Sequence, residues 1–425
     1  MKVPEMPPVD PAAIENMVLA LGAIGGHSGT GVCRTAYSPE WVAGQKRVET
    51  WAREAGLDVR TDAVGTLWAR AEGAEAGPVI VTGSHIDSQR AGGRYDGALG
   101  VISGLVALQT LTATFGAPRR TLELVSLCEE EGSRFPSAGF WGSRAIVGKS
   151  APADCDTVQD AAGQTIGSAM RDVGLDPAQI GTARRDDIAA FIELHIEQGP
   201  VLEDANLPVA IVDAITHIRQ TEVTLTGVSN HAGAFPMDLR ADPMAAFAEI
   251  AAAVIGHAEA LQRPAVTTVG RCDVIPNAGP IIPKSVTFTI DARHPDETSA
   301  MTMYAVHDRI MDEVAARRGV SVDRRVLIDL PACPSDPALL EALQNAADTA
   351  GIQNMRMASG AGHDAQQMAR ICPIAMIFVR SKDGRSHTPE EFSSAADIAA
   401  GTDVLIGALY RLAYLPEDAD ASRDL

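Results

Sequence analysis

The run Thr121-Leu-Glu-Leu-Val-Ser-Leu127 is followed by Cys128 and three consecutive glutamates, Glu129-Glu130-Glu131, closed by Gly132. A near-continuous apolar run of this length is the pattern of a parallel strand covered on both faces, which commits the chain to an α/β layered fold. Three carboxylates at the end of such a strand repel one another, so they must either raise a pKa or hold a cation. An arbitrary triple glutamate is more often a solvated turn. Position argues against that here, because open α/β sheets bind ligands at the carboxyl ends of their strands.

Two further apolar runs end in the same way. Val79-Ile-Val-Thr82 leads into Gly83-Ser-His85-Ile-Asp87-Ser88, and Ala190-Phe-Ile-Glu-Leu194 ends at His195. A single histidine at a strand end is more often structural than ligating; three strand ends agreeing on His85, Glu131 and His195 point to a shared cation. The glycine-rich Gly92-Gly-Arg-Tyr-Asp96-Gly97 sets Asp96 at the entry to a helix over Ala98–Leu111, and Ser386-His387 follows the strand Pro373–Val379. The candidate metal ligands are therefore His85, Asp96, Glu131, His195 and His387. Histidines on two ions with a bridging carboxylate would form a pair about 3.5–4 Å apart, which clamps an attacking water and a polarised oxygen. Imidazole plus carboxylate suits zinc, manganese, cobalt or nickel. Asp87, two residues after His85, is expected to hold the second ring nitrogen of His85 with its carboxylate.

At 425 residues the chain calls for more than one core. Helices are expected over Pro11–Leu21, Glu40–Ala55, Phe140–Val147, Asp242–Leu261, Thr298–Arg318, Pro337–Ala350 and Ile398–Leu415. From about Asp213 the texture shifts to period-two alternation, as in Glu222-Val-Thr-Leu-Thr226, which marks a half-exposed antiparallel strand. A β-α-β-β-α-β-like block over 213–328 then reads as an α+β domain inserted into an α/β domain made of 1–212 and 329–425. Residues 150–187 carry little signal. Residues 1–12 read as a loose arm, and the tail after Leu415 as disordered. A formal charge of -20 argues against nucleic acid or an anionic membrane as partner. No signal peptide is visible, and no apolar run approaching the roughly 20 residues of a spanning helix stands out. Six scattered cysteines without a C-x-x-C pair read as reduced thiols of a cytoplasmic protein. Cys128 has no base placed to make it a nucleophile.

GSHIDSQ, GGRYDGALGV, CEEEGSRF, ELHIEQG, NHAGAFPM, SGAGHDA and SHTPEE occur in this order over about residues 83–391. Together they resemble the hydantoinase/carbamoylase branch of the M20 metallopeptidase-like amidohydrolases, which holds N-carbamoyl-L-amino acid hydrolases, β-ureidopropionases and allantoate amidohydrolases. The resemblance implies a two-domain fold, a catalytic α/β domain binding two metals and an inserted ferredoxin-like lid that also dimerises. It assigns His85, Asp96 and His195 to one metal, and Asp96, Glu131 and His387 to the other. Glu130 becomes the general base, which suits chemistry in which one carboxylate ligates and its neighbour carries a proton. Glu129 is left without a role. His231 in NHAGAFPM would stabilise an oxyanion, Asn277 in VIPNAGPIIP would meet the substrate, and Arg293 in DARHPD would hold its carboxylate as a fork. Gln198 would contact a ureido group and Gly360 would line the pocket.

The implied substrate is a small carboxylate bearing a ureido or carbamoyl group. EEEGSRFP, FWGSR and Tyr37-Ser-Pro-Glu-Trp41 lean towards allantoate, whereas SHIDSQ with GGRYDG leans towards carbamoyl amino acids. Phe235, Arg380, Arg385 and Thr216-His217 depart from the family pattern around the expected pocket. An aminoacylase or peptidase on the same scaffold is the nearest alternative, disfavoured by Gln198 and the Asn277/Arg293 pair. A metal-binding module without catalysis is disfavoured by the presence of Glu130, and a serine or cysteine amidase by the lack of a nucleophile elbow.

Overall fold

The computed structural model describes residues 6–416; the expected loose arm at 1–5 and the expected disordered tail from 417 lie outside the described residues. The rest of that arm is held down, since the Val9 N–H donates to Asp403 at 2.9 Å and Asp10 caps the helix Pro11–Gly22. The chain forms two compact units. The first comprises residues up to Asp213, Ser335–Met357 and residues from His363 on; the second comprises Ala214–Pro334 with Ala358–Gly362.

The first unit is built on a large mixed sheet. Its main path runs Asp58–Thr61, Leu67–Ala71, Arg120–Leu127, Glu75–His85, Ile188–Ile196, Ile374–Val379, Val209–Ile215. The four strands Arg120–Leu127, Glu75–His85, Ile188–Ile196 and Ile374–Val379 are parallel, and antiparallel strands flank them on either side. Leu122, Leu124, Val125 and Leu127 have essentially no exposed surface, as a parallel strand covered on both faces requires. The carboxyl ends of these parallel strands therefore lie along one edge, where the expected ligands sit. Helix Ala98–Phe115 packs on the sheet and against Ala395–Tyr414. It has 18 residues and no charge, and it and Pro243–Leu261 of the second unit are both long and apolar enough to cross a membrane, contrary to expectation; burial of most of Ala98–Phe115 in this core accounts for its composition.

In the second unit a four-stranded antiparallel sheet runs Val266–Ile275, Ser285–His294, His217–Thr226, Ser321–Leu330. In chain order this is β-α-β-β-α-β with the first and third strands central, the ferredoxin-like arrangement. Helices Pro243–Leu261 and Glu297–Arg318 bury Ile250, Val254 and Met311 with Val223, Leu225 and Phe288 of the sheet. The boundary expected at 328/329 would cut the last strand, whose ladder continues through Asp329↔Arg219 and Leu330↔Ile218. The unit ends instead at Pro334.

Candidate metal centre and active site

Each strand end delivers its side chain to one place. His85 is the last residue of its strand, His195 the penultimate residue of its own, and Glu130 and Glu131 follow Leu127 through a turn. Asp96 arrives on the loop before Ala98–Phe115, and His387 follows the strand Ile374–Val379. Asp96 stands between two groups. Its Oδ1 lies 3.1 Å from His195 Nε2 and 3.6 Å from His85 Nε2, and its Oδ2 lies 3.3 Å from His387 Nε2. His387 Nε2 is in turn 3.4 Å from Glu131 Oε2. The ligating atoms of His85, Asp96 and His195 fall within 4.8 Å of one another, as do those of Asp96, Glu131 and His387. Two donor sets sharing one carboxylate are the arrangement that a bridged pair of ions needs.

The residues fit such ions on grounds of their own. The Nδ1 of His85 faces the Asp87 carbonyl at 3.0 Å and the Nδ1 of His195 faces the Ile196 carbonyl at 2.9 Å. With those nitrogens donating, both Nε2 atoms present lone pairs to Asp96. His85 Nε2 is buried and has no hydrogen-bond partner, although Asp96 Oδ1 and Glu130 Oε2 each lie 3.6 Å away. A lone-pair nitrogen aimed between carboxylate oxygens is completed by a cation. The acids agree. Burial, and then Asp96, pushes Glu131 up to about 8; burial, then Glu131 and Asp364, pushes Glu130 well above the usual carboxylate range. Positive charge at the centre relieves that repulsion.

A third grouping, Glu193, His195 and His363, is also close enough to hold an ion. It shares His195, and Glu193 is already engaged: Oε1 accepts from Ser84 at 2.7 Å and Oε2 from the Ala365 N–H at 3.1 Å. We read Glu193 as support for the wall behind His195.

Several expectations need correction. The Asp87 carboxylate does not take the second nitrogen of His85, because the Asp87 carbonyl is nearer and the carboxylate oxygen is 3.7 Å away. Asp87 Oδ2 accepts the Glu131 N–H at 3.1 Å, tying the backbone of Glu131 to the segment that carries His85. Glu129 has a role. Its Oε1 accepts the N–H groups of Arg134 at 3.2 Å and Phe135 at 2.8 Å, fixing the turn that presents Glu130 and Glu131. Arg380 is held elsewhere: its guanidinium pairs with Asp397 at 2.9 Å, and its backbone N–H donates to the Pro208 carbonyl. Cys128 is buried, and burial holds its thiol well above the ordinary value, which leaves it inert.

Gln198 Nε2 donates to Asp96 Oδ2 at 2.7 Å, so it braces the shared carboxylate. Gln89 Nε2 donates to Glu131 Oε2 at 2.8 Å, a contact with no sequence signal beyond its place in GSHIDSQ. The remaining candidates belong to the second unit. His231 Nδ1 accepts the N–H groups of Gly233 at 3.1 Å and Ala234 at 3.0 Å, which puts the ring proton on Nε2, a donor. Arg293 gives its Nε/Nη2 edge to Asp291 and one Nη1 hydrogen to the Gly360 carbonyl at 2.7 Å. The Nη1/Nη2 edge is left for a carboxylate. Asn277 is exposed in the turn after Val266–Ile275. Arg385 is also exposed, in a cleft lined by Arg94, Tyr95 and Phe392.

Residues 78–411 match the model of peptidase family M20/M25/M40, and the chain belongs to that family. It is 39% identical to an allantoate amidohydrolase of Bacillus subtilis over 95% of this chain and 98% of the relative. It is 36% identical to an N-carbamoyl-L-amino-acid amidohydrolase of Paenarthrobacter aurescens over 89% and 92%. The crystal structure of a hydantoinase/carbamoylase family amidase from Burkholderia multivorans superposes with a TM-score of 0.88 at 33% identity, covering 96% of this chain and 99% of that one.

Proposed function

We propose that the protein is a metal-dependent amidohydrolase that cleaves a non-peptide C–N bond in a small carboxylate carrying a ureido or carbamoyl group, of the N-carbamoyl-L-amino acid or allantoate type. The observation that carries this is Asp96 shared between two imidazole–carboxylate sets, with Glu130 Oε2 3.6 Å from His85 and not needed for either. Relatives named for both substrate types support it.

His85, Asp96 and His195 would hold one divalent ion, and Asp96, Glu131 and His387 the other, whether zinc, manganese, cobalt or nickel. When bound, the pair supplies a polarised carbonyl oxygen and an acidified water. Glu130 takes the proton of the attacking water and passes it to the departing nitrogen as the C–N bond breaks. Its crowded surroundings set its affinity for that proton. His231 donates Nε2–H to the developing oxyanion. Arg293 receives the substrate carboxylate on its Nη1/Nη2 edge, Asn277 meets its polar groups, Gln198 accepts a ureido N–H on its unpaired Oε1 because its Nε2 already serves Asp96 and Ser386, and the Gly360 backbone lines the site while holding Arg293 in place. Asp87 supports the ligands from behind.

The second unit would serve as lid and as the dimer contact. Exposed apolar residues on it, Ile255, Leu261, Val326 and Ile328, suit a second copy of the chain. Six free cysteines suit a reducing cytoplasm. A panel of N-carbamoyl-L-amino acids, carbamoyl-β-alanine, allantoate and N-acyl amino acids, assayed with added manganese, tests the reading. Turnover of a ureido or carbamoyl compound is expected; turnover of N-acyl amino acids alone would assign the aminoacylase alternative, and turnover of none would refute the proposal.

A further inference from the structure

The shared carboxylate is held by more than its ligands. Glu391, 3% exposed, reaches back across almost the whole chain to the loop that carries Asp96. Its Oε1 accepts the backbone N–H groups of both Tyr95 and Asp96, each at 2.9 Å, and its Oε2 lies 3.0 Å from Ser386 Oγ. Ser386 Oγ is also 2.8 Å from Asp96 Oδ2. One buried side chain thus fixes the backbone of Asp96 with one oxygen, and with the other meets the serine that touches the Asp96 carboxylate and precedes His387. The loop is shaped to admit it. A Cβ on Gly93 would overlap the Glu391 carboxylate, so only glycine leaves room for it.

We propose that Glu391 is a positioning residue for the whole metal pair: it sets where the shared carboxylate of Asp96 stands, and through Asp96 it controls binding of both ions. The proposal rests on the two-metal reading above. It makes a distinctive prediction, because losing a group that acts on one ligand set should weaken one ion, whereas losing Glu391 should weaken both. Partners that orient ligands typically change metal affinity by about 10–100-fold.

The test is a titration of the full-length apo protein with Mn2+ against a chelating indicator, with metal content read by mass spectrometry and folding by near-UV circular dichroism. Wild type should bind two ions per chain. Glu391→Ala should weaken both by about 10–100-fold, and His387→Ala should weaken mainly one. Glu391→Gln keeps an oxygen for the two N–H groups and should restore most of the affinity, whereas Glu391→Leu, which fills similar space without an acceptor, should not; equal recovery in both would assign the effect to packing. Gly93→Ala should reproduce the alanine phenotype with Glu391 still present; if Glu391→Ala does not fold, Glu391→Gln and Gly93→Ala decide. Wild type binding fewer than two ions would refute the metal reading itself. Wild type binding two, with Glu391→Ala or Gly93→Ala binding them equally well, or with Glu391→Gln no better than Glu391→Ala, would overturn the role of Glu391 alone.

Discussion

Gly97→Ala tests the centre through a residue that carries no chemistry. Gly97 has φ +62° and ψ -51°, and a Cβ built there would sit within 2.5 Å of Cε1, Nε2 and Cδ2 of His85. Carbon–carbon contacts want about 3.5 Å, so the methyl must push the ring back by roughly 1 Å. Side chains rarely adopt this backbone conformation, and holding one in it costs on the order of 1–3 kcal/mol. Against a stability of about 5–15 kcal/mol the variant should still fold. At roughly 2–4 °C per kcal/mol, its melting point should fall by about 2–12 °C. Displacing His85 should weaken the ion on the His85–Asp96–His195 side by on the order of 10–100-fold. Thermal melts of the apo protein and metal titration of the folded variant separate the two effects. A variant that binds both ions at wild-type affinity would refute the placement of His85 and its tight fit to the helix entry.

Three further outcomes follow from other parts of the molecule. Glu130→Gln should keep metal content and lower kcat by about 10²–10⁴-fold, as loss of a general base does; wild-type turnover would exclude Glu130. Arg293→Lys should raise KM at least several-fold with little change in kcat, because an ammonium cannot present two parallel N–H groups; an unchanged KM on every carboxylate substrate would remove Arg293 from recognition. In the second unit, burial and then His257 depress the His307 imidazole to about 4. The unfolded chain then binds more protons between its ordinary value of about 6.5 and pH 4, so stability present above pH 6.5 is lost as the pH falls, on the order of 3 kcal/mol in all. Melting points of wild type and His307→Gln from pH 7 to 4 should converge, and parallel curves would exclude His307 as the source.

What the sequence revealed follows from range. The parallel strands, the longer helices and the ferredoxin-like block are local patterns, and so were visible. The seven motifs placed the ligands at strand ends, where the topology brings them together. Less local features were hidden. The strand Val209–Ile215 sits next to a domain boundary and Asn354–Ser359 is short and mostly half-exposed, so neither shows a clean period. The stretch 150–187 holds two short helices and a 3₁₀ segment, too brief for periodicity. Asp87 looked like a side-chain partner for His85 because residue spacing says nothing about which oxygen is nearer. Glu129 and Glu391 were opaque for a related reason: their partners are backbone N–H groups, which leave no mark in the sequence.

The central claim is that Asp96 joins two ions into one hydrolytic centre. Chelator-treated protein titrated with Mn2+ while turnover of the N-carbamoyl and allantoate panel is followed tests it most directly. Activity should be absent from the metal-free protein and should rise to its maximum as occupancy approaches two ions per chain. Equal turnover by the metal-free protein, or full activity with Asp96→Ala, would contradict the account.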